Sequence, residues 1–164
     1  MIERFRGEYF FLSNMYPLDY CIKTDQGMSV PTAEHAYQAE KFENPFLHKR
    51  ICNSHAENDD NRIYADGLAA KKLAHEQIAR GVEIRSDWEI VKNGIMLAIV
   101  TKKFIRNPEL AKKLYLTGDE EIVEGNDWGD RYWGVDPVGS DNGENQLGKI
   151  LMVVRSRLQT SKES

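Results

Sequence analysis

Apolar residues recur at the spacing of an α-helix over much of the second half of the chain. One stripe follows Trp88, and a second runs through the last helix. The two stripes are Val91, Ile95, Ala98 and Ile99, and Leu147, Ile150, Leu151, Val154 and Leu158. Residues 65–79 predict another helix that ends before Gly81, and Asn44–Pro45 and Asn107–Pro108 each predict the start of a shorter one. These segments predict a mostly helical chain.

The first third of the chain predicts strands and turns. Residues 8–12 are aromatic and predict an extended segment. Residues 20–23 and 28–30 predict the strands of a hairpin, because Thr24–Gly27 has the polar residues and the glycine of a tight turn. Ile122–Val123 predicts one more short strand. A small sheet is therefore expected beside the helices.

The chain has 164 residues and a mass of 18.9 kDa, which suits one domain. We expect an α+β fold: a single compact, mostly helical domain with a small β-sheet over residues 1–160. The polar residues 161–164 predict a frayed tail.

Composition and charge narrow the functional classes. The net charge is −4 and the pI about 5.6, which argues against a protein that grips nucleic acid mainly through its phosphates. A pocket for a single nucleotide is compatible with this charge. Cys21 and Cys52 lack the spacing of a zinc site and are expected to be reduced. With no signal peptide and no apolar run of about 20 residues, we expect a cytoplasmic protein with no membrane association.

The segment VPTAEHAYQAEKF, residues 30–42, places chemistry at the start of a helix. Thr32 is the expected N-cap, and the helix terminus favours an ionised Glu34 in the first turn. Gln38 and Lys41 follow at helical spacing on the same face as Glu34. His35 could move protons or could simply be packed. Position alone does not separate a catalytic Glu34 from an acid that only stabilises a helix.

The second candidate segment is EGNDWGDRYWGVD, residues 124–136, which is rich in acids, glycine and aromatic rings. Aromatic rings such as Trp133 stack on planar ligands, glycines such as Gly134 allow close approach, and acids such as Asp130 can orient water or hold hydroxyls. Asn126 belongs to the same segment. Trp133 could instead fill the core of a Gly- and Asp-rich turn region.

Three further features are ambiguous from the sequence. Ser86–Glu89 fits a capping box at the start of the helix that carries Trp88, and this tryptophan alone is more typical of a core residue. Ser13 and Asn14 could bind a ligand or cap a turn. Four arginines could each meet a phosphate, namely Arg4, Arg6, Arg62 and Arg131.

Motifs for several other chemistries are missing. The chain has no phosphate-binding P-loop, no dinucleotide-binding glycine motif, no serine-hydrolase elbow and no zinc-protease HExxH. The remaining set of carboxylates, aromatic rings and polar turns suits cleavage at a sugar carbon, where two carboxylates assist a cationic transition state.

Several motifs together resemble the YbiA/NADAR family. They occur in the family's order and span nearly the whole chain. The matching segments are FLSNMYP at 11–17, VPTAEHAYQAEKF at 30–42, KNGIMLAIVTKKF behind Trp88, NDWGDRYWGVD at 126–136 and NQLGKILMVVR at 145–155. The resemblance implies a compact α+β fold and N-glycosidase activity on ribose-linked nucleotide compounds.

The resemblance also implies particular site residues. The family's helix-start glutamate falls on Glu34 and the aspartate of its D-x-YWG motif falls on Asp130, and these are the expected catalytic residues. The expected substrate-binding residues are Ser13, Asn14, His35, Gln38, Trp88, Asn126, Trp133, Gly134 and Asn145. Many relatives carry a basic, glycine-rich run before the N-x-LG motif, whereas here no lysine occurs there until Lys149. Backbone N–H groups at residues 139–143 are the expected substitute for a phosphate contact.

The substrate is expected to be a ribosyl nucleotide of the riboflavin pathway or an ADP-ribosylated guanine in DNA, the latter in relatives paired with an ADP-ribosylating toxin. We expect Glu34 and Asp130 to face one ribose in a shared cleft, with no metal and no cofactor. The alternative is a non-catalytic module that binds ADP-ribose or NAD through the same pocket.

Overall fold

The computed structural model describes residues 1–57 and 65–163. The described residues form two compact units. One unit is Asn14–Asn107, and the other combines Met1–Ser13 with the chain from Pro108 onward. The boundaries expected for a single domain, residues 1–160, stay a prediction.

The Asn14–Asn107 unit begins with a short antiparallel hairpin. Strands β1 (Ile22–Lys23) and β2 (Ser29–Val30) pair with Ile22 opposite Val30. Gly27 lies in the turn with φ of 81°, a backbone conformation that glycine adopts without steric cost. The predicted hairpin is confirmed.

Four helices complete this unit: α1 (Ala33–Ala39), α2 (Pro45–Cys52), α3 (Ala65–Ala79) and α4 (Trp88–Arg106). Helix α1 packs against the other three helices and against the hairpin. All seven of its residues are buried. Alanine at positions 33, 36 and 39 allows its neighbours to approach closely, so the polar residues of α1 are held deep in the unit.

The predicted helix starts are confirmed for α1 and α2, and the predicted cap of α4 is wrong. The Thr32 side chain accepts a hydrogen bond from the His35 N–H, and Asn44 accepts from the first N–H groups of α2 beside Pro45. At α4 the N-cap is Asp87, whose side chain makes no cap hydrogen bond. It binds the Arg85 guanidinium instead, with oxygen–nitrogen distances of 2.7 and 3.0 Å. The predicted capping box is wrong because the N-cap is Asp87 and not Ser86.

The other unit contains two helices, α5 (Pro108–Leu116) and α6 (Gln146–Glu163), which pack together. The apolar stripe of α6 is buried through Leu147, Ile150, Leu151 and Val154. Because α6 continues through Glu163, the described part of the predicted tail is helical rather than frayed, and Ser164 lies outside the described residues.

Two local predictions in this unit are corrected. Residues 7–12 form a 3₁₀ helix with consecutive buried residues Phe10, Phe11 and Leu12, not an extended segment. Ile122 makes an isolated parallel bridge with Ile2 in place of a strand.

The described chain is mostly helical with one small two-stranded antiparallel sheet, so the predicted α+β class is confirmed. Within the described ranges, every helix is too short or too polar to cross a membrane.

Candidate active site

Glu34 lies in the first turn of α1 with a defined hydrogen-bond partner. The Gln38 side-chain amide donates to Glu34 Oε1 at 2.7 Å, one helical turn further along. The backbone N–H of Glu34 donates to the carbonyl of Asn14 at 2.9 Å. The Glu34 side chain exposes 7% of its surface and that of Gln38 2%. The helical spacing predicted from the sequence therefore gives a buried carboxylate with a fixed orientation.

Lys41 continues the same face of α1 and adds a positive charge beside the carboxylate. Its side chain is buried, with Nζ 4.9 Å from the centroid of the Tyr37 ring and 6.0 Å from that of Trp88. Burial lowers the pKa of Lys41, and the negative charge of Glu34 acts in the opposite direction. In a poorly hydrated setting such charges interact more strongly than in water.

Two aromatic rings line the cluster. Tyr37 and Trp88 meet with ring centroids 5.4 Å apart and planes inclined by 50°. Trp88 is the first residue of α4, so the start of that helix delivers the indole to the Glu34 face. Both rings are buried, and the indole exposes 4% of its surface. Stacking of a substrate on Trp88 stays a prediction.

Buried acceptors lie in the same unit. Asn14 Nδ2 contacts the Met96 sulfur at 3.5 Å. Among the described residues, Asn14 Oδ1 and Gln38 Oε1 accept no hydrogen bond although both atoms are buried. A buried oxygen without a donor costs about 1–3 kcal/mol. Donor groups such as ribose hydroxyls would offset that cost.

His35 is next to Glu34 in sequence but has structural partners. Its Nδ1 lies 2.7 Å from the Thr32 hydroxyl, and Nε2 lies 2.8 Å from the Ser54 carbonyl. The carbonyl can only accept, so Nε2 carries the proton and the Thr32 hydroxyl donates to Nδ1. Burial lowers the pKa of His35, which keeps the ring neutral. Because both ring nitrogens are engaged by the protein, the structure does not favour the predicted substrate contact or proton transfer.

The residues predicted in the 124–145 region lie in the other unit, and two of them organise its backbone. Asn126 Oδ1 accepts from the N–H groups of Trp128 and Asp130, and its amide donates to the Asp130 carbonyl at 2.8 Å. Asn145 accepts from the Glu124 N–H and donates to the Ile122 carbonyl, each at 2.9 Å. Both side chains therefore hold the loop, and their predicted contact with substrate is not favoured.

Asp130 also serves its own loop. Its Oδ1 accepts hydrogen bonds from the backbone N–H groups of Tyr132 and Trp133, at 3.1 and 2.9 Å. The half-buried Trp133 ring meets Tyr132 edge to face, with centroids 4.9 Å apart. Gly134 is buried, and a Cβ there would lie 2.0 Å from the Glu124 carbonyl oxygen. Glycine is thus needed at this position for packing.

The structure brings together four predicted residues in the Asn14–Asn107 unit: Asn14, Glu34, Gln38 and Trp88. Tyr37 and Lys41 complete this cluster and were not predicted as site residues. Both lie in the VPTAEHAYQAEKF segment, and the helical spacing already placed Lys41 on the face of Glu34. Ser13, Asn126, Asp130, Trp133, Gly134 and Asn145 belong to the other unit. A cleft shared by Glu34 and Asp130 stays a prediction.

The remaining candidate residues are Ser13 and the four arginines. Ser13 is the C-cap of the 3₁₀ helix. Arg4, Arg6 and Arg131 are exposed, and Arg62 lies outside the described residues. No group of three or more His, Cys, Asp or Glu side chains in the described ranges is placed to hold a metal ion.

Comparison with known proteins identifies the family. The NADAR domain matches residues 3–159. The chain is 36% identical over 149 residues to a riboflavin biosynthesis protein of Vibrio vulnificus, a match that covers 91% of this chain and 35% of that protein. It is 35% identical over 129 residues to an N-glycosidase of Nostoc punctiforme, covering 78% of this chain and 74% of that protein.

The Escherichia coli N-glycosidase YbiA is 31% identical over 141 residues, with 86% of this chain and 78% of that protein covered. The NMR structure of E. coli YbiA superimposes with a TM-score of 0.75 and 27% identity, covering 100% of this chain and 90% of that one. The chain therefore belongs to the NADAR family, and the resemblance found in the sequence is confirmed. The chain spans about a third of the Vibrio protein, so this match does not show that the chain has the full activity of that protein.

Proposed function

We propose that the protein is an N-glycosidase that hydrolyses the bond between ribose and nitrogen in a nucleotide-like ribosyl compound. The observation that carries this proposal is the Glu34 carboxylate, which is buried, held by Gln38 at 2.7 Å and placed with the Tyr37 and Trp88 rings in one cluster. Relatives that cover most of this chain are named N-glycosidases, which supports the same chemistry.

Cleavage proceeds by breaking the bond from C1′ to nitrogen, with the electron pair leaving on nitrogen. Positive charge then develops on C1′ and the ring oxygen, and a carboxylate beside the sugar stabilises it. Glu34 supplies the stabilising negative charge in a poorly hydrated environment. Water oxygen bonds to C1′, one water proton passes to a carboxylate base, and that proton then passes, directly or through solvent, to the leaving nitrogen.

The base in this scheme is either Glu34 or Asp130. Asp130 would orient the attacking water, and its Oδ1 already accepts two backbone hydrogen bonds. We propose Glu34 as the base, because its carboxylate is buried and held by Gln38, with Asp130 orienting the water.

Two substrate classes are compatible with this chemistry. One is an early riboflavin-pathway intermediate, which the name of the Vibrio relative favours. The other is ADP-ribosylated guanine in DNA, which the net charge of −4 disfavours. We therefore propose a free ribosyl nucleotide as the substrate.

The test is incubation of the protein with ribosyl compounds of both classes, followed by mass spectrometry for the released sugar phosphate or ADP-ribose. Glu34→Gln is nearly isosteric, so kcat should fall at least about 100-fold while the Kd changes only a few-fold. Asp130→Asn is measured in parallel, and Glu83→Gln, an exposed acid, serves as the matched control.

Near wild-type turnover in Glu34→Gln would remove Glu34 from the mechanism. Tight binding of ADP-ribose or NAD with no bond cleavage by the wild type would instead identify the non-catalytic binding module.

A further inference from the structure

A cavity lies in the same unit as the candidate site but is built from other residues. It has a volume of about 340 Å³, and its lining includes no residue of the cluster around Glu34. One wall is a face of α4 that runs from Ile90 to Lys102. The rest of the lining is the hairpin at residues 23–25 together with Glu40, the C-cap of α1. This volume is within the range that is typical of small-molecule pockets.

The apolar stripe that the sequence predicts on α4 lines this cavity. The stripe consists of Val91, Ile95, Ala98 and Ile99, and of these four residues only Ile99 is buried. Other positions of α4, such as Met96, fill the core of the unit. The protein's own side chains therefore leave part of the stripe uncovered, and an apolar ligand that covered it would remove that surface from water.

Gly94 lies in the middle of the α4 wall. Glycine weakens the interior of a helix relative to alanine or leucine. Outside the helix's own neighbouring turns, the described residues place no atom within 4 Å of the position that a Cβ would occupy there. The packing of the protein therefore does not require glycine at this position, and the missing side chain leaves the space in front of α4 open.

Glu40 places a buried carboxyl group in the lining. Its side chain exposes 6% of its surface, and Oε1 accepts a hydrogen bond from the Asp25 N–H at 2.9 Å. In the part of the chain that the structure describes, Glu40 takes part in no ion pair. Lys102 serves the hairpin instead, because its ammonium group donates to the Lys23 carbonyl at 3.0 Å and lies 3.8 Å from Asp25 Oδ1.

The electrostatic surroundings of Glu40 agree with this geometry. Burial raises its pKa most, the backbone hydrogen bond from Asp25 lowers it, and the negative charge of Asp25 raises it again. Lys102 lowers the pKa of Glu40 with the smallest of these effects. A cation bound in the cavity would stabilise the ionised carboxylate.

We propose that this cavity binds a small aliphatic amine, with its apolar body against α4 and its ammonium group at Glu40. The charge selects the class of ligand: an ammonium group gains a charge-assisted hydrogen bond, whereas a carboxylate would meet the negative charges of Glu40 and Asp25. A neutral alcohol would cover the apolar stripe but would lack the ionic contact. The site goes beyond the proposed N-glycosidase activity and does not depend on it.

Three compounds with the same apolar body test the assignment. Cyclohexylmethylamine, cyclohexylmethanol and cyclohexanecarboxylate are titrated into the full chain at neutral pH, and binding is followed through the methyl NMR signals of Val91, Ile95 and Ile99. The amine should bind at least about tenfold more tightly than the alcohol or the carboxylate. Any other order of affinity, or no shift of these methyl signals with the amine, would overturn the proposal.

A charge-removing substitution tests the role of Glu40. Glu40→Gln keeps an oxygen acceptor for the Asp25 N–H and removes the negative charge. The affinity for cyclohexylmethylamine should fall about tenfold, while that for cyclohexylmethanol stays unchanged. Glu43→Gln is the matched control, since Glu43 is exposed and does not line the cavity. An amine affinity that is the same in Glu40→Gln and Glu43→Gln would exclude Glu40 as the ammonium partner.

A cavity-filling substitution separates loss of binding from loss of folding. Gly94→Leu should weaken the amine and the alcohol at least about tenfold. The Tm should not fall below that of the wild type, because leucine favours a helix more than glycine does. Arg106→Leu adds a leucine at an exposed position of α4 outside the lining and should keep wild-type affinity. Undiminished binding in Gly94→Leu would place the compounds elsewhere and reject the cavity.

Discussion

Glu34 and His35 are adjacent in the sequence, and the structure gives their side chains different surroundings. The Glu34 carboxylate meets the Gln38 amide in the candidate site, whereas His35 bridges the Thr32 hydroxyl and the Ser54 carbonyl. Consecutive helix positions point in directions about 100° apart, so neighbours in sequence do not share a face. The first side chain therefore lies in the candidate site, and the second links α1 to its neighbouring backbone.

The neutral His35 ring makes stability depend on pH. Burial lowers its folded pKa below 6.5, while the unfolded chain takes up a proton near the ordinary value. Stability is therefore present above about pH 6.5 and is lost as pH falls toward the folded pKa, by at most about 1.4 kcal/mol per pH unit. We expect His35→Gln to flatten the slope of unfolding free energy against pH between about pH 7 and pH 5, as measured by urea denaturation.

Other histidines contribute to the same window, so the difference between variants is the informative quantity. Burial also lowers the pKa of His48 and of His75. His55→Gln, a substitution at an exposed position, is the control and should keep the wild-type slope. An unchanged slope in His35→Gln would mean that the ring is not held neutral in the folded protein.

At the scale of elements, the helix starts differ in what holds them. The Thr32 hydroxyl caps α1 and also engages the His35 ring, whereas Ser86 is exposed and does not cap α4, whose N-cap is Asp87. Thr32→Ala should lower the free energy of unfolding by about 1–2 kcal/mol, and Ser86→Ala should change it by less than about 0.5 kcal/mol. Urea or thermal unfolding measures both. Equal losses in the two variants would restore the capping box.

Local sequence signals predicted the elements whose partners are near in the chain. The hairpin follows from the turn at Thr24–Gly27, and the α2 start follows from Asn44–Pro45. The 3₁₀ helix at residues 7–12 was missed because a short apolar run does not distinguish helix from strand. The capping box failed because α4 begins at Trp88 with Asp87 as its N-cap, one residue after the predicted cap Ser86.

In the candidate site, too, contacts within one helix could be predicted and contacts between distant segments could not. Spacing within α1 predicted that Glu34 and Gln38 share a face, and their hydrogen bond confirms it. The placement of Trp88 against Tyr37 depends on α4 packing against α1, about 50 residues later, which the period of one helix does not show. Asn126 and Asn145 were expected to bind substrate, whereas their side chains bind backbone groups of their own loop. A sequence does not show which backbone groups a loop leaves unpaired, so this outcome could not be predicted.

At the scale of the whole molecule, charge and its distribution bear on the choice of substrate. The chain has 22 basic and 26 acidic residues, so its net charge is −4. A DNA duplex presents a charge about every 1.7 Å along its axis and is held by several cations at once.

We therefore expect kcat/KM for a free ribosyl nucleotide to exceed that for an ADP-ribosylated duplex oligonucleotide by at least about tenfold. Both are assayed with the same protein at two salt concentrations. Each phosphate contact to a duplex lowers affinity with a log–log slope of about −0.9, so a protein that uses one phosphate should show a shallow dependence. Higher kcat/KM on the duplex, falling steeply with added salt, would show that several cations track the DNA backbone. That result would move the physiological substrate to DNA and leave the chemistry at Glu34 unchanged, because the ribose bond to be broken is of the same kind in both substrates.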